Sequence, residues 1–211
     1  GFCLVGSEMC IRDRLRPALA ALEAGKNLAV ASKEILVMAG QAVMETAAKN
    51  GAKVLPVDSE HNAIFQCLEG KESKDVSRLI LTASGGPFRK SSSEEIQNVS
   101  PREALQHPTW KMGPKITIDS ATLFNKGLEM IEAKWLFDID MNRVEVVVHP
   151  QSIIHSMVEF IDSSILAQLS TTDMCFPIQY AITWPERVSN RLEPLNFTQI
   201  TKLDFEAPRI C

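Results

Sequence analysis

Residues 15–57, LRPALAALEAGKNLAVASKEILVMAGQAVMETAAKNGAKVLPV, decide the fold class of this chain. Leu15 to Gly25 has the apolar spacing of an amphipathic helix and ends on glycine, the residue that most easily takes the left-handed turn beyond a helix. Asn27 to Ala31 is short and apolar, as a buried strand is. Lys33 to Asn50 is helical again and stops at Gly51; Lys53 to Val57 is a second strand. Helix, strand, helix and strand with short connections predict one end of a parallel α/β sheet. A dinucleotide-binding unit normally opens with a strand, a glycine-rich turn and a helix, and no GxGxxG occurs in the sequence.

Residues 1–14, GFCLVGSEMCIRDR, read differently. They carry neither the charged start and cleavage site of a signal peptide nor a clean helix or strand period. The segment from Glu8 to Arg14 resembles the translation of a transposase-end sequencing adaptor, so this leader is expected to be non-native or disordered, with the true protein beginning upstream.

The bulk composition excludes several classes. Hydrophobic residues make up 45% and charged residues 23% of 211 positions, an ordinary globular balance. A net charge of −4 without a basic block argues against a nucleic-acid binder. No apolar run is long enough to span a membrane. The cysteines Cys3, Cys10, Cys67, Cys175 and Cys211 are odd in number, widely spaced and form no CxxC. That pattern suits free thiols in a reducing cytoplasm.

Beyond Val57 the chain reads as polar loops between short strands. Arg78 to Ala83 is a strand running into Ser84-Gly85-Gly86-Pro87, and residues 89–104 are a charged, exposed connection. Val144 to His149, Ile154 to Phe160 and Ile165 to Ser170 are strands, the last two joined by a tight turn at Asp162-Ser163-Ser164. Phe176 to Trp184 is a helix with Pro177 in its first turn. The tail from Arg187 onward reads as a linker.

The polar chemistry concentrates in a few places. Asp58 and Glu60, at i and i+2 after a strand, project from one side of an extended backbone and can reach one cation. Such hard oxygen ligands suit Mg²⁺ or Mn²⁺, and a third carboxylate such as Glu129 would leave coordination positions open for substrate. A solvated turn is the bland alternative. In KITIDSATLFNKGLEMIEAKWLF (115–137), a β-branched run Ile116-Thr117-Ile118 precedes a turn at Asp119-Ser120 and then a helix. On that helix Asn125, Glu129 and Glu132 share one face, with Lys126 beside them. Ser84-Gly85-Gly86 can present N–H groups and a hydroxyl to an anion, or simply turn. The loop His107 to Gly113, with Trp110 and Met112, is either a tucked loop or a lid over a ligand. Lys33 and Glu34 stand at the carboxyl end of a strand, where open α/β sheets place ligand contacts. His61 is expected to support the metal ligands from behind or to be structural, Glu132 to support them, and His149 and His155 to be structural.

Taken together, ASKEILVMAG (31–40), LPVDSEHNAIFQ (55–66), LTASGGPFR (81–89), HPTWKMGPKITIDSATLFNKGLEMIEAKWLF (107–137) and HPQSIIHSMVEF (149–160) resemble the 1-deoxy-D-xylulose 5-phosphate reductoisomerase family. The resemblance runs from about Leu15 to Cys211. It implies an α/β fold: an α+β catalytic domain with a mixed sheet (58–190), preceded by the C-terminal end of a Rossmann-like parallel sheet that binds NADPH (15–57). Residues 191–211 would begin a linker to a helical C-terminal domain, so the chain is expected to be a fragment with little reductase activity by itself. The implied reaction is rearrangement and NADPH-dependent reduction of 1-deoxy-D-xylulose 5-phosphate to 2-C-methyl-D-erythritol 4-phosphate, in a cytoplasmic homodimer using Mn²⁺ or Mg²⁺.

The same resemblance implies residue roles. Asp58, Glu60 and Glu129 hold the metal. Lys33, Ser59 and Glu60 contact the hydroxyl and carbonyl end of the substrate, and Ser84, His107, Ser120, Asn125 and Lys126 surround its phosphate side. Ser32, Glu34 and Gly113 belong to the cofactor site; Ser32 stands where the family usually has asparagine. Two other readings fit the same residues: a metal-dependent sugar-phosphate isomerase or aldolase, and a non-catalytic phosphate-binding module.

Overall fold

The computed structural model describes residues 2–4, 11–110 and 112–209. Its first part is a parallel sheet of β1 (Phe2–Leu4), β2 (Asn27–Val30) and β3 (Val54–Pro56) in that order. Helices α1 (Ile11–Glu23) and α2 (Lys33–Lys49) make the crossovers. Leu22 of α1, Leu28 and Val30 of β2, and Leu36 and Val43 of α2 close the core between them. The leader thus contributes a strand at 2–4 and the first turn of α1 from Ile11, four residues before the expected helix start; positions 5–10 lie outside the described residues.

The second part is a mixed sheet, order β5-β4-β6-β7, built from β4 (Val76–Ala83), β5 (Val144–Val148), β6 (Ile154–Phe160) and β7 (Ile165–Leu169). β4 and β5 are parallel, with Leu79 beside Val144 and Ala83 beside Val148, whereas β6 and β7 run antiparallel to their neighbours. A parallel pair needs a long crossover. Residues 84–143 supply it, carrying α4 (Ser93–Gln97), α5 (Pro101–Ala104), α6 (Pro114–Ala121) and α7 (Phe124–Phe137). On one face of the sheet Leu79, Leu81, Val158 and Phe160 pack against Ile64 of α3 (Ser59–Cys67) and against Ala133 and Phe137 of α7. Helix α8 (Cys175–Thr183) follows β7. The α/β class and the mixed sheet therefore match the expectation, and the turn into β7 is where it was placed, with Ser163 at φ 67°.

α7 joins the two parts. Its Leu136 packs against both cores, and Trp135 lies on α2 at Gly40, where a Cβ would fall 2.2 Å from the indole. Only glycine permits that approach, and α2 bends beside it at Ala39.

Three expectations are corrected. The β-branched run 116–118 is helical, because Gly113 and Pro114 form a cap and first turn whose Gly113 carbonyl accepts from both Thr117 N–H and Thr117 Oγ1. The segment after Asp58 is helix α3 rather than loop. The connection 89–104 holds two short helices, each begun by a capping box, Ser92 with Glu95 and Ser100 with Glu103. The tail returns to the fold: Glu206 pairs with Val148 at the free edge of β5, and Phe205 stacks on His149. Cys67 and Cys175 are free thiols, and no described helix is long and apolar enough to cross a membrane.

Candidate active site

The ends of β2, β3 and β4 converge on the buried face of α7. Polar groups make up the part of that face nearest the strand ends: Asn125, Lys126, Glu129 and Glu132 are all buried, as are Ala133 and Phe137 in the core, whereas Phe124 is exposed. Buried charges persist only when paired, and each element ending here brings a partner. After β2, Lys33 occupies the first position of α2, and its ammonium reaches Asp58 Oδ2 at 2.5 Å, Glu129 Oε1 at 3.0 Å and Asn125 Oδ1 at 3.0 Å. From α7 itself, Lys126 donates to Glu60 Oε1 at 2.6 Å and Glu129 Oε2 at 2.5 Å.

After β3, Asp58 caps α3, its carboxylate accepting the N–H of Glu60. The two carboxylates therefore converge by helix capping, not along an extended strand as the spacing suggested. Asp58, Glu60 and Glu129 each place one carboxylate oxygen within 4.8 Å of the others. Burial opposes the charged form of every group here, and the outcomes differ. At Asp58 burial pushes the carboxyl up, but Lys33 together with His61 and Glu60 holds it well below its usual range. At Glu60 burial, reinforced by Glu129, prevails over Lys126 and lifts the pKa to about 7. Burial would lower Lys33, yet Asp58 and Glu129 keep it well above its ordinary value.

After β4, Ser84 turns its hydroxyl to His107 Nε2 at 2.9 Å. His107 Nδ1 accepts the backbone N–H groups of Thr109 and Trp110, so Nε2 carries the hydrogen and donates to Ser84. Burial depresses the His107 pKa, which favours this neutral ring. Gly86, at φ +66°, lies so close to the end of α6 that a Cβ would meet Ser120 O at 2.3 Å.

One cavity of about 220 Å³ is lined by Lys33, Asp58, Ser59, Glu60 and Glu129, and equally by Ser84, His107, Ser120, Asn125 and Lys126. Asn125 and Lys126 bond to the carboxylates and stand at the junction of the two groups. Trp110 and Met112 also line it; Lys111 lies outside the described residues. Ser32, Glu34 and Gly113 do not line it. They gather at the starts of α2 and α6, where Ser32 donates to Glu34 at 2.8 Å and Lys115 bridges to Glu34 at 2.9 Å. Burial opposes the charge on Glu34, but the Lys115 contact lowers its pKa to about 2.

Sequence reasoning placed His149 and His155 together as structural. His149 is, bonding Asp204 O through Nδ1 at 2.8 Å and taking the Ile153 N–H at Nε2. His155, Ser152 and Thr82, by contrast, line the cavity. No sequence signal marked that segment; the left-handed backbone at Ser152, φ 52°, is visible only in the fold.

Comparison with known proteins shows the family to which the chain belongs. The family model for the 1-deoxy-D-xylulose 5-phosphate reductoisomerase C-terminal domain matches residues 54–137, and that for the DXP reductoisomerase C-terminal domain matches 169–210. The chain belongs to the 1-deoxy-D-xylulose 5-phosphate reductoisomerase family. Its relatives of that name from Chlorobaculum tepidum and Ruminiclostridium cellulolyticum are 58% and 57% identical over 92% and 93% of this chain. The chain spans about half the length of the curated relatives it matches, 51% in both cases. Among solved structures, DOX-P reductoisomerase in complex with NADPH, fosmidomycin and magnesium superposes with a TM-score of 0.91 at 46% identity, covering 98% of this chain and 53% of that one. The Zymomonas mobilis reductoisomerase in complex with NADPH gives 0.90 at 48% identity, covering 99% and 53%.

Proposed function

We propose that this chain carries the metal- and substrate-binding part of a 1-deoxy-D-xylulose 5-phosphate reductoisomerase, converting that substrate to 2-C-methyl-D-erythritol 4-phosphate with NADPH. The observation that carries this reading is the convergence of Asp58, Glu60 and Glu129 on the wall that also presents Ser84, His107 and Ser120. Three hard oxygen donors fit Mg²⁺ or Mn²⁺. Such an ion, when bound, would polarise the substrate's neighbouring oxygens during the carbon-skeleton rearrangement.

The chain's own residues supply the rest. Lys33 holds its protons at Nζ beside the oxygens of Asp58 and Glu129, within reach of a substrate hydroxyl. Neutral His107 and the Ser84 hydroxyl, with Ser120, receive the phosphate end, and Asn125 and Lys126 reach toward it from the junction. A phosphate held at one end orients the reacting carbons at the other. Trp110 and Met112 line the cavity, where they would exclude water from a bound substrate. Ser32, Glu34 and Gly113 form a rim that we assign to the nicotinamide cofactor, and we place the boundary between cofactor and catalytic parts at Val57–Asp58. We assign the protein to the cytoplasm.

The homodimer belongs to the same proposal. β7 is an edge strand among the described residues, and its Ile165 and Leu166 are 50% and 43% exposed beside Ile161 at 71%. Exposed apolar edges of this kind are covered in stable folds.

Isothermal titration of fosmidomycin, the ligand of the neighbouring structure, tests the reading. Binding to this chain is expected to require Mg²⁺ or Mn²⁺. Asp58→Asn should weaken it roughly 10- to 100-fold, and because asparagine caps helices as well as aspartate does, the loss reports the metal rather than α3. Equal binding without the ion, or by the variant, would overturn the proposal.

A further inference from the structure

Next to the three carboxylates, but not lining the cavity, lie two groups that the sequence left as general support: His61 and Glu132, 0% and 1% exposed. His61 Nε2 is 2.9 Å from the backbone oxygen of Glu129. A carbonyl only accepts, so this nitrogen carries hydrogen. Nδ1 faces Glu132 Oε2 at 3.4 Å and Asp58 Oδ1 at 3.6 Å. A lone pair there would point at two carboxylates, so a proton sits in this triangle as well. The ring lies nearly parallel to Phe137, at an interplanar angle of 8°, which fixes its plane.

Both Glu132 oxygens and His61 Nδ1 lack a hydrogen-bond partner although they are buried. A core position has no use for an unpartnered carboxylate. The position of Glu132 does have one. Asp58 caps α3, on which His61 sits one turn later; Glu129 and Glu132 are one turn apart on α7. The imidazole thus spans the two elements that bring Asp58 and Glu129 together, with Glu132 drawing on it from behind.

We infer that Glu132 is a positioning residue: acting through His61, it sets the separation of Asp58 and Glu129 and so the affinity of the site for a divalent ion. Groups behind metal ligands commonly hold them in this way. The inference rests on the metal site proposed above.

The test is Mn²⁺ binding to the 211-residue chain, read from the free-ion electron paramagnetic resonance signal and by calorimetry, with circular dichroism to follow folding. Glu132→Gln is expected to weaken Mn²⁺ binding by roughly 10- to 100-fold while the fold is retained. His61→Gln should do the same, and the double variant should lose no more than either single one, because both act through one contact. A merely structural Glu132 would lower thermal stability and leave the Mn²⁺ affinity of the folded protein unchanged. That result, or losses that multiply in the double variant, would overturn the inference. Should Glu132→Gln not fold, His61→Gln and Glu132→Asp decide, since one removes the imidazole and the other draws the carboxylate back by a methylene. Wild-type affinity in either refutes the role of Glu132. If the wild-type chain itself binds no Mn²⁺, the metal-site reading fails first; if it binds and the variants match it, only this inference fails.

Discussion

Replacing Gly86 by alanine perturbs the substrate end of the cavity without touching a charged group. Gly86 has φ +66°, and an added Cβ would lie 2.3 Å from Ser120 O and 3.3 Å from Ala121 Cα. Both are backbone atoms, so no side chain can swing aside. To reach ordinary contact, the 84–87 turn and the end of α6 must part by about 1 Å. Alanine in the left-handed region carries about 1–2 kcal/mol, and overpacking adds about 1–3 kcal/mol. For a chain of this size a combined loss of about 3 kcal/mol lowers Tm by roughly 6–12 °C. Displacing Ser120 by that distance should weaken metal-dependent fosmidomycin binding on the order of tenfold to a hundredfold. Mn²⁺ binding measured alone should hold, because Asp58, Glu60 and Glu129 are anchored on other elements. Gly70→Ala is the control: φ is +71° but nothing lies within 4 Å of its Cβ, so it should show only the smaller conformational penalty and unchanged ligand affinity. If Gly86→Ala melts with Gly70→Ala and binds as the wild type does, the close contact does not shape the anion end and the reasoning is refuted.

Two further expectations concern other parts of the chain. Burial lowers the His155 pKa from 6.5 to about 4, so the folded protein leaves this ring neutral where the unfolded chain protonates it. Its contribution is therefore present above pH 6.5 and lost as the pH falls toward 4, by up to about 3 kcal/mol; urea midpoints between pH 7 and 4.5 should fall more steeply for the wild type than for His155→Gln, and parallel slopes would contradict this. For the proposed homodimer, Ile165→Lys at the β7 edge should weaken self-association by at least about tenfold through the charge it sets on an open strand edge; sedimentation showing no dimer in the wild type, or an undiminished one in the variant, would refute that interface.

What could be read from the residues divides along a physical line. Strand runs such as Val144–Val148 and Ile154–Phe160 were legible because β-branched residues concentrate where a pleated surface is half buried. The same preference misled at Ile116–Ile118, where the local signal that mattered was Gly113-Pro114, a helix start rather than loop punctuation. On α7 the period showed that Asn125, Glu129 and Glu132 share a face, but a period cannot say which face is buried. The answer lies in partners remote in sequence: Lys33 meets Glu129 across 96 positions and Lys126 meets Glu60 across 66. Residue chemistry could name Glu129 as a candidate third carboxylate beside Asp58 and Glu60, and the family resemblance pointed to the same three, but neither could show the lysines that pair with them. For Glu132 and His61 the residues alone gave no more than general support behind the metal ligands, because no local pattern distinguishes a carboxylate facing water from one facing an imidazole. On α7 the charged groups are buried beside an apolar set, Ala133, Leu136 and Phe137, so apolar packing holds the helix while its paired charges build the site. Altering one of those charges should therefore change site affinity while the helix stays folded on its apolar contacts, as expected for Glu132→Gln.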